Sequence, residues 1–237
     1  MIWHSVKPGL LPSLDVPIDR LPELLSNIDD IKVQNRNPIY GFKVGALLEM
    51  EGLKSVISLI REYSQLPIII DHQKLADIPS IIQKFVEKIA SFEVEGVILL
   101  GYVGPISITT FIESCQDQGL ANYVVAEMSH QGASEYIKET TPQNIARLAR
   151  ELNATGIVCP ATKTDSIQNC SEILEGSPLG IMSPGHGPQG GGADSAVKAG
   201  ADWIVVGRSF YTSSTPQETL IRLGKLIIDH WKIRNSK

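Results

Sequence analysis

The sequence predicts a (β/α)8 TIM barrel, an α/β fold in which eight parallel strands alternate with helices. Three observations predict this class. Short apolar runs alternate with longer amphipathic stretches along the whole chain, the alternation repeats eight times, and 237 residues is a usual length for one such barrel. An open doubly wound sheet also alternates strands and helices, but eight repeats favour the closed barrel. Because we find no linker or low-complexity tract, we expect a single domain over residues 1–237.

The predicted strands are short runs rich in Val, Ile and Leu, bounded by glycine, proline or polar residues. They are Leu10–Val16, Ile39–Val44, Pro67–Asp71, Gly96–Leu100, Asn122–Ala126, Gly156–Cys159, Leu179–Ser183 and Trp203–Val206.

The predicted helices carry apolar residues three and four positions apart, which is the spacing of an amphipathic helix. They are Ile18–Ile31, Leu47–Tyr63, Ile78–Phe92, Ile106–Gln118, Pro142–Leu152, Asp165–Leu174, Ala193–Ala199 and Pro216–Trp231.

Composition limits the possible partners. The formal net charge of −5 argues against general binding to nucleic acid or anionic membranes, yet a local cluster of cations can still bind a small anion. No apolar run reaches the roughly 20 residues of a membrane-spanning helix, and no signal peptide is visible. Cys115, Cys159 and Cys170 lack a CxxC spacing and are expected to be reduced thiols. We therefore expect a soluble, cytoplasmic protein.

Charged and glycine-rich residues collect where the predicted strands end. In a (β/α)8 barrel, the chemistry is carried by the carboxyl ends of the strands and the loops that follow them. Strands 1 and 2 end at Asp15 and Lys43, and the remaining functional segments are Asp71–Asp77, Glu127–His130, Pro184–Gly192 and Gly207–Ser209. The sequence therefore predicts an active site at this end of the barrel.

The segments after strands 7 and 8 favour a phosphate site. Glycine-rich loops expose backbone N–H groups, Arg208 can bind a phosphate through two hydrogen bonds, and Gln189 can donate a third. The alternative is a flexible turn beside a surface cation. Two such loops, at the positions where barrels commonly bind phosphate, favour the functional interpretation.

Lys43, Asp71, Lys74 and Asp77 form an alternating set of charges. Such groups can keep one another ionised in a partly dry site. A carboxylate beside a leaving carboxylate, with an ammonium beside the carbon that becomes negative, suits decarboxylation. The alternative is a solvated salt-bridge cluster that caps the barrel. The charges alone leave both interpretations open.

Other reaction classes lack their usual motifs. His72, His130 and His186 lie in candidate active-site loops, but no HxxxH or HxH spacing indicates a metal site. The chain has neither the GxSxG motif of a hydrolase nor a GxGxxG fingerprint for a nicotinamide cofactor. We therefore expect no metal and no cofactor.

Six motifs follow one another along the chain: LDVP at Leu14–Pro17, FKVG at Phe42–Gly45, DHQKLADIP at Asp71–Pro79, EMSHQGA at Glu127–Ala133, SPGHGPQGG at Ser183–Gly191 and VVGRSFY at Val205–Tyr211. In this order they resemble the orotidine 5′-monophosphate decarboxylase family, especially its shorter, archaeal-like branch. The resemblance covers nearly the whole chain. It implies the conversion of orotidine 5′-monophosphate (OMP) to UMP and CO₂, the last step of de novo pyrimidine synthesis, without a cofactor.

The resemblance also implies roles for the charged residues. Asp15 and Lys43 contact the ribose hydroxyls, and Lys43 joins the charged network. Asp71 faces the substrate carboxylate, and Lys74 stabilises and then protonates the C6 carbanion. Asp77 reaches across a homodimer interface into the partner's site, so that the two active sites are shared.

The remaining implied roles concern binding. Ile78 lines the pyrimidine pocket and Ser129 hydrogen-bonds the pyrimidine amide edge. The loop from Pro184 to Gly192 closes over the substrate, whose phosphate is held by Gln189, Gly207 and Arg208.

Two departures from the family's pattern keep alternatives open. The usual spacing is Asp-x-Lys-x-x-Asp, whereas one extra residue separates Asp71 from Lys74 here, so a bend at His72–Gln73 is expected to bring the two together. Ile81 stands where the family often has a threonine that contacts the ribose. The alternatives are a Mg²⁺-dependent sugar-phosphate decarboxylase or aldolase on the same barrel, and an inactive barrel that binds a nucleotide phosphate.

Overall fold

Eight parallel strands form a barrel in the computed structural model, which describes residues 8–133 and 135–236. The predicted fold class is confirmed. The strands are β1 Gly9–Pro12, β2 Phe42–Gly45, β3 Ile68–Asp71, β4 Gly96–Leu100, β5 Ala121–Val125, β6 Gly156–Val158, β7 Gly180–Ser183 and β8 Trp203–Val206.

Strand β1 closes the barrel by pairing with β8 on one side and with β2 on the other. A full parallel ladder joins β1 to β8, with Gly9 opposite Trp203. Between β1 and β2 the pairing is reduced to isolated bridges, Leu10 with Ile39 and Ser13 with Lys43. Ser13 and Lys43 are thereby brought side by side at the mouth of the barrel.

Helices cover the outside of the barrel. They are α1 Leu21–Leu25, α2 Ala46–Glu49, α3 Leu53–Tyr63, α4 Pro79–Ala90, α5 Pro105–Asp117, α6 Thr141–Glu151, α7 Thr164–Leu174, α8 Ala193–Ala199, α9 Arg208–Tyr211 and α10 Pro216–Arg234. Of these, α4 to α8 and α10 coincide with predicted helices to within a few residues.

Two predicted helices are wrong as continuous elements. The span 18–31 contains only α1 between two short 3₁₀ turns, because Asn27 adopts a left-handed φ of 55°. The span 47–63 is divided into α2 and α3 at Gly52, whose φ is 99°. Strand β1 ends at Pro12, earlier than predicted, so that Asp15 lies in the loop that follows it.

Two apolar cores lie on either side of the sheet. One packs the outer faces of the strands against the helices. The other fills the inside of the barrel, where Tyr40 and Tyr123 share a hydrogen bond of 2.7 Å between hydroxyls and both rings contact Trp203. A Cβ atom at Gly180 would lie 2.2 Å from Cη2 of Trp203, so only glycine leaves room for the indole. These aromatic residues fill the barrel near the amino-terminal ends of its strands.

Among the described residues, no helix combines the length and the apolar character that crossing a bilayer would require.

Candidate active site

A cavity of about 240 Å³ opens at the carboxyl ends of the strands, where the sequence predicts an active site. Its floor is the upper layer of the inner core, and its walls are the loops that follow the strands. The residues around it include Ser13, Asp15, Lys43, Asp71, Lys74, Ile98, Val125, Glu127, Ser129, Val158, Met182, Pro184, His186, Gln189, Gly207, Arg208 and Tyr211.

Four of the predicted charged residues form one continuous network. Lys43 Nζ lies 3.0 Å from Asp71 Oδ2 and 3.5 Å from Asp15 Oδ1. Lys74 Nζ lies 3.2 Å from the same Asp71 Oδ2. The Ser13 hydroxyl donates to Asp15 at 2.6 Å. Asp71 therefore holds two ammonium groups at once, in a side chain that is only 8% exposed.

The network keeps its central pair ionised. Burial disfavours the charged form of Asp71, but the ammonium groups of Lys43 and Lys74 outweigh this effect and lower the Asp71 pKa. Burial also disfavours charged Lys43, but the carboxylates of Asp71 and Asp15 outweigh it and raise the Lys43 pKa. A largely buried ion pair of this kind can act electrostatically on a bound substrate.

The loop after β3 brings Asp71 and Lys74 together, as predicted from the extra residue. The chain turns through three successive left-handed residues, with φ of 44° at Gln73, 61° at Lys74 and 39° at Leu75. The Leu75 amide donates to the His72 carbonyl at 2.6 Å. The bend lies one residue later than expected, and it returns the Lys74 side chain to the face that carries Asp71.

Asp77 and Ile78 lie outside the cavity of their own chain. Both are exposed, and Ile78 retains 61% of its accessible surface. The backbone of Asp77 is held at the start of α5, where the Ser107 hydroxyl donates to its carbonyl at 3.2 Å. Ile81, one turn further along α4, is 43% exposed and also stands apart from the cavity.

The loop after β5 places Ser129 on the cavity wall. Two residues of the loop after β6 contact this segment. Lys163 Nζ lies 2.5 Å from Glu127 Oε1, and the Thr162 hydroxyl donates to the Ser129 carbonyl at 3.4 Å. The two loops therefore form one continuous wall of the cavity.

The predicted phosphate residues, Gln189, Gly207 and Arg208, all line the same cavity. The loop from Pro184 to Gly192 folds on itself through a bridge between His186 and Gly191. Left-handed φ values at Gly185, Gly187 and Gly190 permit this shape.

Arg208 stands exposed beside this loop at the start of α9, and no hydrogen bond or ion pair joins its guanidinium to another residue in the described part of the chain. The arrangement leaves a cation and backbone amides available to an anion.

Some lining residues were missed from the sequence. Ser13 lies two positions before Asp15 and faces the same way, a period-two signal that could have identified it. Tyr211 belongs to the short helix α9, which was not predicted. The apolar wall is formed by inward-facing strand residues, which sequence reasoning treated only as core: Ile98, Val125, Val158, Met182 and Val205.

Within residues 8–133 and 135–236, no group of three or more His, Cys, Asp or Glu side chains is arranged to hold a metal ion.

Comparison with known proteins supports the resemblance seen in the motifs. The family model for orotidine 5′-phosphate decarboxylase / HUMPS matches residues 10–223. An orotidine 5′-phosphate decarboxylase from Methanococcoides burtonii is 37% identical over 177 residues, which are 74% of this chain and 80% of that protein. One from Thermococcus kodakarensis is 38% identical over 178 residues, covering 75% and 79%.

A solved structure shares the whole fold. The crystal structure of orotidine 5′-monophosphate decarboxylase from Methanocaldococcus jannaschii with the inhibitor BMP has a TM-score of 0.82 at 26% identity, and the alignment covers 93% of this chain and 99% of that one. Sequence motifs, barrel and family model agree. The chain belongs to the orotidine 5′-phosphate decarboxylase / HUMPS family.

Proposed function

We propose that this chain is a cytoplasmic orotidine 5′-phosphate decarboxylase, a carboxy-lyase that converts OMP to UMP and CO₂ in the last step of de novo pyrimidine synthesis. Residues 1–237 act as one catalytic domain. No metal or organic cofactor takes part. The reaction passes through a C6 carbanion that Lys74 protonates.

The contact between Lys74 and Asp71 carries this proposal. An ammonium 3.2 Å from a buried, ionised carboxylate can stabilise negative charge on a carbon placed beside it and then deliver a proton. The substrate carboxylate lies next to Asp71, and the repulsion between these two negative charges is relieved when CO₂ leaves. The neighbouring apolar wall, including Ile98 and Val158, suits the departing neutral CO₂.

Binding energy from the remote end of the substrate supports the chemistry. Arg208, Gln189 and the Gly207 backbone hold the phosphate, Asp15 and Lys43 bind the ribose hydroxyls, and Ser129 bonds the pyrimidine. Closure of the loop beginning at Pro184 then excludes water. This remote energy holds the orotate carboxylate against Asp71 in the bound state.

The protein acts as a homodimer with shared sites. Asp77 and Ile78 lie outside their own cavity, at the edge of an exposed apolar surface on α2 and at the starts of α4 and α5. Isolated apolar residues are common on surfaces, but a cluster of this kind marks an interface. The exposed apolar residues of this surface are Leu47, Met50, Ile78, Ile81 and Ile106. In the proposed two-fold dimer through this surface, Asp77 and Ile78 enter the partner's cavity.

The test is loss of OMP absorbance with purified protein, in excess EDTA and again after addition of Mg²⁺. We expect equal turnover in both conditions. Turnover that is abolished by EDTA and restored by Mg²⁺ would indicate the metal-dependent sugar-phosphate class. Binding of OMP without turnover would indicate an inactive nucleotide-binding barrel.

A further inference from the structure

The extra residue after Asp71 is accommodated in an unfavourable backbone conformation. Gln73, Lys74 and Leu75 are all left-handed, and none is a glycine. Side chains with a Cβ adopt this region reluctantly, and a run of three persists only when the surrounding structure enforces it. The residues that enforce it therefore decide where Lys74 points.

Two backbone hydrogen bonds hold the end of the turn. The Leu75 amide donates to the His72 carbonyl, and the Leu100 amide at the end of β4 donates to the Lys74 carbonyl. The Leu75 side chain is 4% exposed and packs in the core. These contacts fix the end of the turn relative to β4, and the His72 side chain makes further contacts at its beginning.

That side chain is held on the side of the loop away from the cavity. His72 Nδ1 lies 2.5 Å from Glu49 Oε2 on α2, and its ring packs on Phe85 of α4 with centroids 4.5 Å apart. His72 is not among the residues that line the cavity, although Asp71 and Lys74 on either side of it are. The imidazole thus joins the lengthened loop to two helices.

The partner of His72 is not an ordinary surface carboxylate. Exposed ion pairs contribute little, and the His72 side chain is 45% exposed. The Glu49 side chain, however, is only 10% exposed, and its Oε1 has no hydrogen-bond partner in the described chain. A largely buried carboxylate that makes one hydrogen bond depends on that bond, because without it a polar group is left unsatisfied. Glu49 also closes the helix that directly follows the strand bearing Lys43.

We propose that His72 is a positioning residue for Lys74. Its contacts with Glu49 and Phe85 hold the left-handed turn, and the turn keeps Lys74 Nζ on Asp71. The inference rests on the proposed function, since it concerns the proton donor of that reaction. His72 itself touches neither substrate nor reacting atoms, so its removal changes the chemical step more than binding.

The experiment compares His72→Ala, Glu49→Ala, the double variant and His72→Asn, whose amide nitrogen can occupy the place of Nδ1. For each protein kcat and KM for OMP, Kd for UMP and the thermal unfolding midpoint are measured. His230→Ala, in α10, is the control for loss of a histidine away from the site. We expect kcat to fall about 10- to 100-fold in both single alanine variants, since a displacement of about 1 Å has such effects, with UMP affinity nearly unchanged.

The pattern across variants separates positioning from general damage. The double variant is expected to lose no more kcat than either single variant, and His72→Asn to recover most of it. Wild-type kcat in a folded His72→Ala protein, or independent losses that multiply in the double variant, would overturn the inference while leaving the proposed function intact. If His72→Ala does not fold, His72→Asn is compared with Glu49→Ala instead. A kcat in His72→Asn as low as that in Glu49→Ala would likewise overturn the inference. Absence of turnover in the wild type would overturn the proposed function itself, and the role of His72 in catalysis with it.

Discussion

Lys43 and Asp71 lie on adjacent parallel strands, offset by two positions in register, with Nζ 3.0 Å from Oδ2 and with side chains that are only 13% and 8% exposed. Because the two cations around Asp71 lower its pKa, the carboxylate stays ionised at pH values where an ordinary Asp, near pKa 4, would protonate. We therefore expect the acid limb of the kcat/KM profile, which reports the groups of the free enzyme, to lie below about pH 4.

Lys43→Met removes one of these cations but leaves Asp71 buried. The pKa of Asp71 should therefore rise, and the acid limb should move to higher pH. Lys198→Met, at an exposed pair with Asp194, is the control and should leave the profile in place. An acid limb at the same pH in Lys43→Met and wild type would contradict the charge coupling.

Lys74→Ala tests the proton donor. The substitution removes the ammonium beside Asp71, so kcat for OMP should collapse while a 6-substituted UMP analogue still binds, because the proposed phosphate and ribose contacts remain. Steady-state kinetics and calorimetric titration measure the two quantities. Near-normal turnover would remove Lys74 from the mechanism.

Arg208→Ala tests the division between binding and chemistry. The guanidinium makes no ion pair within the described chain, so its contribution is available to the substrate phosphate. Its loss should mainly raise KM, by an amount equivalent to roughly 2–4 kcal/mol for a truncated charged hydrogen-bond partner. Some decrease in kcat is also expected, because in the proposed mechanism phosphate binding drives loop closure. Arg147→Ala on α6 is the control, and an unchanged KM in Arg208→Ala would exclude Arg208 from the phosphate site.

Complementation tests the shared site. Lys74→Ala and Asp77→Asn should each be nearly inactive alone. After mixing, denaturation and refolding, random pairing makes about half of the dimers mixed, and in these one cavity carries both lesions and the other carries neither. Roughly a quarter of all sites should therefore recover activity.

Wild type refolded in parallel controls for yield. No recovery would mean that Asp77 acts within its own chain or has no role, and a monomer in sedimentation would exclude the shared site directly.

Gly180→Ala tests the inner core. The new methyl group would overlap the Trp203 indole, and overpacking of this kind costs about 1–3 kcal/mol of unfolding free energy, measured in urea. Because the two residues are in contact, Gly180→Ala combined with Trp203→Phe should lose less than the sum of the single losses. Full stability of Gly180→Ala would show that the indole has room to move.

The elements that were predicted well are those with strong local signals. The apolar run at Gly96–Leu100 matches β4, and Trp203–Val206 matches β8, because fully buried parallel strands are apolar on both faces. The breaks at Asn27 and Gly52 were missed, since apolar periodicity continues across a left-handed residue without marking it.

The sequence predicted which residues come together at the site better than it predicted how they are arranged. Charge at strand ends indicated Lys43 and Asp71, because the barrel brings strand ends together. The turn that returns Lys74 to Asp71 could be expected only as a bend, since its path depends on contacts with distant residues, including Glu49 and Leu100. Residues such as Val158 serve both core and cavity, and hydrophobicity alone does not separate the two.

The aromatic floor made by Tyr40, Tyr123 and Trp203 has a consequence for turnover. With the barrel filled beneath the cavity, we expect OMP to enter and both products to leave through the same mouth, which residues of the loop from Pro184 to Gly192 line. If that loop closes over the substrate as proposed, it must withdraw in each catalytic cycle before the nucleotide product can dissociate. We then expect the opening of this glycine-rich segment to limit the rate of release, so that faster chemistry alone would raise turnover little.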